Sequence, residues 1–161
     1  MSEMPNFAII KLFFAAMAKI SWDAEGVALP SLDYSKVQDW IVKVADTHGR
    51  VVGRLGYMLW DDETMLEANR QYLGHDYYTD IITFDYSHGD RVSGDMIISL
   101  DTVRSNAETV GEPYRRELLR VIIHGVLHLC GINDKGPGER EIMEAHENAA
   151  LALIDADECF T

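Results

Sequence analysis

Two histidines set four residues apart are the feature of this sequence most able to do chemistry. His124 and His128 lie in the run HGVLHLCG, residues 124–131. If this run is helical, both imidazoles project from one face, one turn apart, which is how a helix offers two nitrogens to one metal ion. The apolar residues Val121, Ile122 and Ile123 indicate a buried helix, where both rings need partners. The spacing therefore predicts a metal site, with two core histidines bonded to backbone carbonyls as the alternative.

A third ligand is expected close by, because a catalytic zinc ion usually has three protein ligands and a water. Gly131 lets the chain turn back after the helix, and the carboxylate of Asp134 is the predicted third ligand. His146 is a competitor, but its place in the apolar stripe of the next predicted helix favours a packing role. Cys130 points away from the histidine face and is interpreted as a small core residue.

Length and composition favour one soluble domain. A chain of 161 residues, 47% hydrophobic and 25% charged, can bury a single core. Its net charge of -13 repels nucleic acid at long range, so an RNA-binding role needs a local basic patch or a metal ion. The two cysteines form no disulfide framework, which favours a reducing cytoplasm. Residues 1–18 are interpreted as an N-terminal extension rather than a secretory leader, and 19–161 as the domain.

Helical and strand patterns are interspersed without a regular βαβ repeat. This order predicts an α+β fold, with a small mixed β-sheet packed against about four or five helices and the metal site at the end of a buried helix. Asp33 and Asp101 are predicted to cap helices, the second of which ends at Gly111, and Pro113 begins the histidine helix. The predicted strands are residues 51–60, 81–86 and 96–100.

The histidine run resembles the H-G-x-L-H-L-x-G signature of the YbeY family of bacterial endoribonucleases, the rRNA maturation factors. Residues 77–84, YYTDIITF, resemble the family's T-D-V-L-S-F strand, and residues 93–96, SGDM, resemble its G-D-I. The resemblance implies a cytoplasmic, metal-dependent, single-strand-specific endoribonuclease acting in 16S rRNA 3′-end maturation and ribosome quality control. It also implies one divalent ion, zinc, and as partners single-stranded RNA, the 16S rRNA precursor and the small ribosomal subunit, but no membrane.

Two positions depart from the family pattern. The usual third histidine falls at Asp134, and the usual arginine before the T-D strand falls at Leu73. Aspartate keeps an oxygen ligand but makes the site one charge more negative, which alters its metal preference. Arg70 lies nearly one helical turn before Leu73 and is the candidate to replace the missing phosphate contact.

Two acids near the predicted strands have open interpretations. Asp95 is either a partner that orients a metal ligand or a turn acid before a strand. Asp80 either lines the cleft near the metal or forms a solvated turn, and the turn is favoured.

Basic and aromatic residues supply candidate RNA contacts. Arg115, Arg116 and Arg120 on the histidine helix either contact the RNA backbone or pair with nearby acids, and pairing is favoured. Tyr77 and Tyr78 are candidates to stack on unpaired bases, which is how proteins grip single strands without sequence preference.

The leading hypothesis is a metal-assisted phosphodiester hydrolase in which His124, His128 and Asp134 hold the ion and its water. A metallopeptidase-like hydrolase is one alternative. It is disfavoured because Gly125 occupies the position where the protease helix carries its glutamate base. A non-catalytic ribosome-associated protein with a structural metal is the other alternative.

Overall fold

A four-stranded sheet and five α-helices make up the fold in a computed structural model that describes residues 19–74 and 79–161. The strands are β1 (Lys19–Glu25), β2 (Val51–Trp60), β3 (Ile81–Asp85) and β4 (Arg91–Ser99). The helices are α1 (Tyr34–Thr47), α2 (Asp62–Leu73), α3 (Leu100–Val110), α4 (Tyr114–Leu129) and α5 (Glu139–Leu151), followed by a 3-10 turn at Asp157–Cys159.

The sheet is mixed, with strand order β1-β2-β4-β3. The first three of these strands run parallel, and β3 pairs antiparallel to β4 at the edge. The predicted α+β class with a small mixed sheet is confirmed. Strand β1 was not predicted, because its apolar positions are only Ile20, Trp22 and Ala24 between polar residues. Strand β4 begins at Arg91, earlier than predicted, because pairing with Val51 of β2 extends it.

Side-chain caps fix the helix starts. Asp33 accepts a hydrogen bond from the Lys36 amide at 3.2 Å, so its predicted cap is confirmed. The predicted cap at Asp101 is wrong: Ser99 accepts from the Thr102 amide at 3.3 Å, and Asp101 lies within the first turn. Ser99 caps the helix in place of Asp101 because it is the last residue of β4 and directly precedes the first residue of the helix.

Helix α4 lies unusually close to the sheet. A Cβ atom on Gly125 would stand 2.8 Å from Cγ of Met96 and 3.1 Å from Cδ1 of Ile81, closer than ordinary van der Waals contact. The hydroxyl of Tyr57 on β2 donates to the carbonyl of Ile122 at 3.0 Å, inside the core. These contacts fix the backbone of α4 against β2, β3 and β4 one residue from His124.

Helix α5 packs against α4 and is also tied to α1. The indole Nε1 of Trp40 on α1 donates to the carbonyl of Ala150 on α5 at 2.8 Å, and both residues are buried. This arrangement gives α5 one surface that faces α4 and another that faces α1. Across the described ranges, no helix combines the length and the apolar character needed to cross a membrane.

Candidate functional site

The imidazole of His124 lies between two carboxylates. Its Nδ1–H donates to Oε2 of Glu147 on α5 at 2.7 Å, and its Nε2 lies 3.3 Å from Oδ2 of Asp134. Asp134 reaches this position because Gly131 adopts a left-handed conformation, with φ of 96°, directly after α4. The turn that the sequence predicted therefore brings Asp134 beside the first histidine of the motif.

The charges around His124 control its basicity. Burial by itself would lower the pKa of His124, but the hydrogen bond and charge of Glu147, together with the charges of Asp134 and Asp80, outweigh burial and raise the pKa. Burial raises the pKa of the Asp80 carboxyl, and nearby His124 partly offsets that rise. Asp80 thus lines the cleft, which is the interpretation that the sequence did not favour.

His124 opens onto a cavity of about 740 Å³ between α3, α4 and α5. Carboxylates outnumber basic groups on its wall. The acids are Asp80, Glu112, Glu117, Asp134, Glu144 and Glu147, and the arginines are Arg120 and Arg140. Such a wall attracts cations and repels phosphate groups.

His124 and Asp134 have the chemistry and spacing of two zinc ligands. Ligand atoms that each lie about 2.0–2.1 Å from a tetrahedral zinc ion are separated from each other by roughly 3.3 Å. The observed Nε2–Oδ2 distance is 3.3 Å. An imidazole nitrogen and a carboxylate oxygen are both ordinary zinc donors, so this pair fits the ion.

His128 does not complete a ligand set in this structure. It lies one turn further along α4 and is half-buried. In residues 19–74 and 79–161, no three His, Cys, Asp or Glu side chains are grouped closely enough to hold a metal ion. The three-residue metal site thus remains a prediction. Of its three residues, His124 and Asp134 lie side by side.

The three predicted RNA-binding arginines of α4 are paired with acids. Arg115 lies 3.8 Å from Asp157, and Arg116 lies 3.7 Å from Glu112. Arg120 contacts Glu147, Glu117 and Asn148, all on the wall of the cavity. This is the pairing interpretation that the sequence favoured.

The remaining predicted site residues do not join His124. Asp95 extends over Gly56 of β2, where an added Cβ would meet its Oδ1 at 2.6 Å. Its neighbour Met96 faces Gly125, so Asp95 lies on the opposite face of the sheet. Arg70 is exposed in the last turn of α2 and does not line the cavity. The predicted stacking residues Tyr77 and Tyr78 lie outside the described residues.

Glu147 is the site residue that sequence reasoning missed. The sequence placed His146 in the apolar stripe of the last helix, whereas the buried face of this helix carries Met143, Glu147, Ala150 and Leu151. The face is therefore rotated by about one residue from the prediction. An acid four residues after a buried methionine was the available signal, since a buried carboxylate needs a partner.

His146, the residue next to Glu147, faces away from the cavity. Its ring centroid lies 5.0 Å from that of His48, at the end of α1, in an edge-to-face arrangement. The packing role predicted for His146 agrees with this position.

Comparison with known proteins gives a consistent assignment. The model of the family described as Endoribonuclease YbeY matches residues 23–155. Relatives named Endoribonuclease YbeY are 65% identical in Phocaeicola vulgatus, over 84% of this chain and 98% of the relative, and 59% identical in Parabacteroides distasonis, over 87% and 98%. The solution structure of TM1509 from Thermotoga maritima superposes with a TM-score of 0.59 at 26% identity, covering 82% of this chain and 86% of that one. The chain belongs to the Endoribonuclease YbeY family, as the histidine motif predicted.

Proposed function

We propose that this chain is a metal-dependent endoribonuclease that cleaves single-stranded RNA during 3′-end maturation of 16S rRNA. The endoribonuclease activity is the one named by the family to which the chain belongs. The observation that carries the proposal is the His124 ring, whose Nε2 faces Asp134 at 3.3 Å on the wall of an acidic cavity. The cytoplasm and the small ribosomal subunit are the proposed location and partner.

His124 and Asp134, with His128 as the third ligand, would hold a divalent ion, for which zinc is the proposed identity. A bound ion of this kind lowers the pKa of a water molecule and polarises a phosphoryl oxygen. The chain supplies the positioning: Glu147 holds Nδ1 of His124, and Asp134 lies beside Nε2.

The acidity of the cavity supports a dependence on metal. A phosphodiester carries a negative charge and meets mostly carboxylates here. Positive charge added to the cavity by a metal ion would therefore favour the entry of RNA. Arg140, whose side chain is 81% exposed, is the more accessible of the two cavity arginines. Arg70, which does not line the cavity, remains a predicted contact to RNA, as do Tyr77 and Tyr78.

The packing of Gly125 disfavours the metallopeptidase alternative. A glutamate at this position would place its Cβ 2.8 Å from Met96 and 3.1 Å from Ile81, in the interface between α4 and the sheet. The protease arrangement, with a glutamate base after the first histidine, would therefore require Met96 or the helix itself to shift. The proposed hydrolase must activate water by other groups.

The proposal is tested with purified protein, metal analysis and two substrates. We expect about one zinc ion per chain, cleavage of a single-stranded RNA that spans the 3′ end of precursor 16S rRNA, and no cleavage of peptides. Chelation should abolish cleavage, and added zinc should restore it.

Two outcomes would contradict the proposal. Protein that binds no divalent ion under any loading condition removes the metal site. Protein that loses thermal stability on chelation, yet cleaves no RNA when loaded with metal, supports the structural-metal alternative instead.

A further inference from the structure

We propose that Glu147 is a positioning residue, which holds His124 in the tautomer that leaves Nε2 free to bind a metal ion, and that Arg120 in turn holds Glu147. This inference rests on the proposed function and extends it to residues on two helices. The two carboxylate oxygens of Glu147 have different partners. Oε2 accepts from His124 at 2.7 Å, and Oε1 accepts from Nη1 of Arg120 at 3.1 Å.

The spacing on α4 makes this double contact possible. Arg120 and His124 are four residues apart, so both side chains project from the same face of the helix toward α5. The side chain of Glu147 is only 7% exposed, and it fills the space between them. A carboxylate that is buried to this extent is retained because it has a cation and a second donor.

Arg120 is itself held in place. Its Nη2 donates to Oδ1 of Asn148 at 3.0 Å, and its Nε lies 3.7 Å from Glu117. The guanidinium is planar, so contacts on Nη1, Nη2 and Nε fix its orientation and with it the position of Glu147.

A carboxylate can only accept hydrogen bonds from the ring, and this determines the tautomer of His124. Asp134 can accept in the same way at Nε2, but its oxygen lies 3.3 Å from that nitrogen, whereas the oxygen of Glu147 lies 2.7 Å from Nδ1. The shorter contact places the proton of the neutral ring on Nδ1 and leaves the lone pair on Nε2. Nε2 is the atom that faces Asp134. Histidines that bind metals are commonly oriented in this way by a carboxylate on the other ring nitrogen.

The first test measures zinc binding by Glu147→Gln with a chromophoric competitor chelator. We expect the affinity for zinc to fall about 10- to 100-fold, because the amide of glutamine can also donate to the ring and no longer enforces one tautomer. Glu141→Gln makes the same change at an exposed position of α5 that does not line the cavity, so its affinity should match the unchanged protein.

The second test reads the tautomer directly in metal-free protein, by long-range ¹H–¹⁵N NMR of the histidine rings at a pH where they are neutral. We expect the Nδ1–H form of His124 in the unchanged protein and in Glu141→Gln, and a mixture of tautomers in Glu147→Gln. This measurement needs neither bound zinc nor activity. It therefore tests the positioning role even if the proposed function fails.

A second variant with a shorter carboxylate keeps the test decisive if the first variant does not fold. If Glu147→Gln does not fold, Glu147→Asp retains the charge beside Arg120 but withdraws the oxygens from His124, and it should show the same loss of affinity. The inference is overturned if a folded Glu147 variant binds zinc as tightly as the unchanged protein, or if its His124 keeps the Nδ1–H form alone.

Discussion

Two consecutive residues of α5 each contact a histidine: His146 contacts His48, and Glu147 contacts His124. The pKa values of these two histidines are shifted in opposite directions. Burial lowers the pKa of His48, and the neighbouring His146 and Arg50 lower it further. Burial also acts to lower the pKa of His124, but Glu147, Asp134 and Asp80 outweigh it, and the pKa is raised. Since burial acts in the same direction on both rings, the neighbouring charges decide the difference. The carboxylates make the cavity, and not the His48 contact, the place for a cation.

Replacement of His124 should give the largest effect, because it removes a predicted metal ligand from the cavity. We expect His124→Ala to lose zinc binding and to lower kcat/KM for RNA cleavage by at least about 100-fold, since a catalytic metal is worth several kcal/mol of barrier. His146→Ala removes the imidazole on the other side of α5 and should keep both properties. A His124→Ala protein that retains zinc and cleavage would contradict the assignment.

Removal of Arg120 should give the next largest effect, on stability. The side chain of Arg120 is 20% exposed and that of its partner Glu147 only 7%, so Arg120→Ala leaves a buried carboxylate without its cation. We expect a loss of about 2–3 kcal/mol in the free energy of unfolding, measured in urea.

Arg116→Ala is the matched control for this loss. Arg116 and Glu112 form an exposed pair on the same helix, so we expect its removal to cost less than about 0.5 kcal/mol. Equal losses for the two variants would show that the pair Arg120–Glu147 stabilises the fold no more than an exposed ion pair does.

The pH dependence of the chelated protein sharpens the comparison at His124. Because the pKa of His124 is raised in the folded state, its contribution to stability is complete below the ordinary value of 6.5 and is lost as the pH rises through the folded pKa. The difference in unfolding free energy between this protein and His124→Asn should therefore shrink between about pH 6 and pH 9. A difference that grows over this range would contradict the raised pKa.

His48 should give the smallest effect, with the opposite sign. Because its pKa is lowered, stability is complete above 6.5 and is lost as the pH falls through 6.5 toward the folded pKa. The ring is partly exposed, so the loss should stay below about 1 kcal/mol. We expect His48→Gln to flatten the thermal stability of the protein between about pH 7 and pH 5, measured by circular dichroism. A steeper profile in the variant would be inconsistent with this assignment.

The local parts of the fold and site could be predicted from sequence because their causes lie within a few residues. The helical spacing of His124 and His128, the cap at Asp33 and the return of the chain after Gly131 each depend on adjacent backbone geometry. The α+β class also followed from the order of these local patterns.

The partner of His124 could not be predicted because it depends on how two helices are rotated against each other. A shift of one residue in the buried face of α5 exchanges His146 for Glu147 beside α4. Asp95 depended in the same way on which face of β4 meets α4, a choice that the sequence near Gly94 leaves open.

The close approach at Gly125 limits how this protein can change over evolutionary time. Since the backbone of α4 at Gly125 packs directly on the side chains of Met96 and Ile81, a larger residue at 125 would push the helix outward together with the adjacent His124. A substitution that changes only interior packing would thus move the imidazole of His124 relative to the cavity and affect the proposed metal site. Tolerance to substitution should be lower at this position than its lack of a functional group suggests.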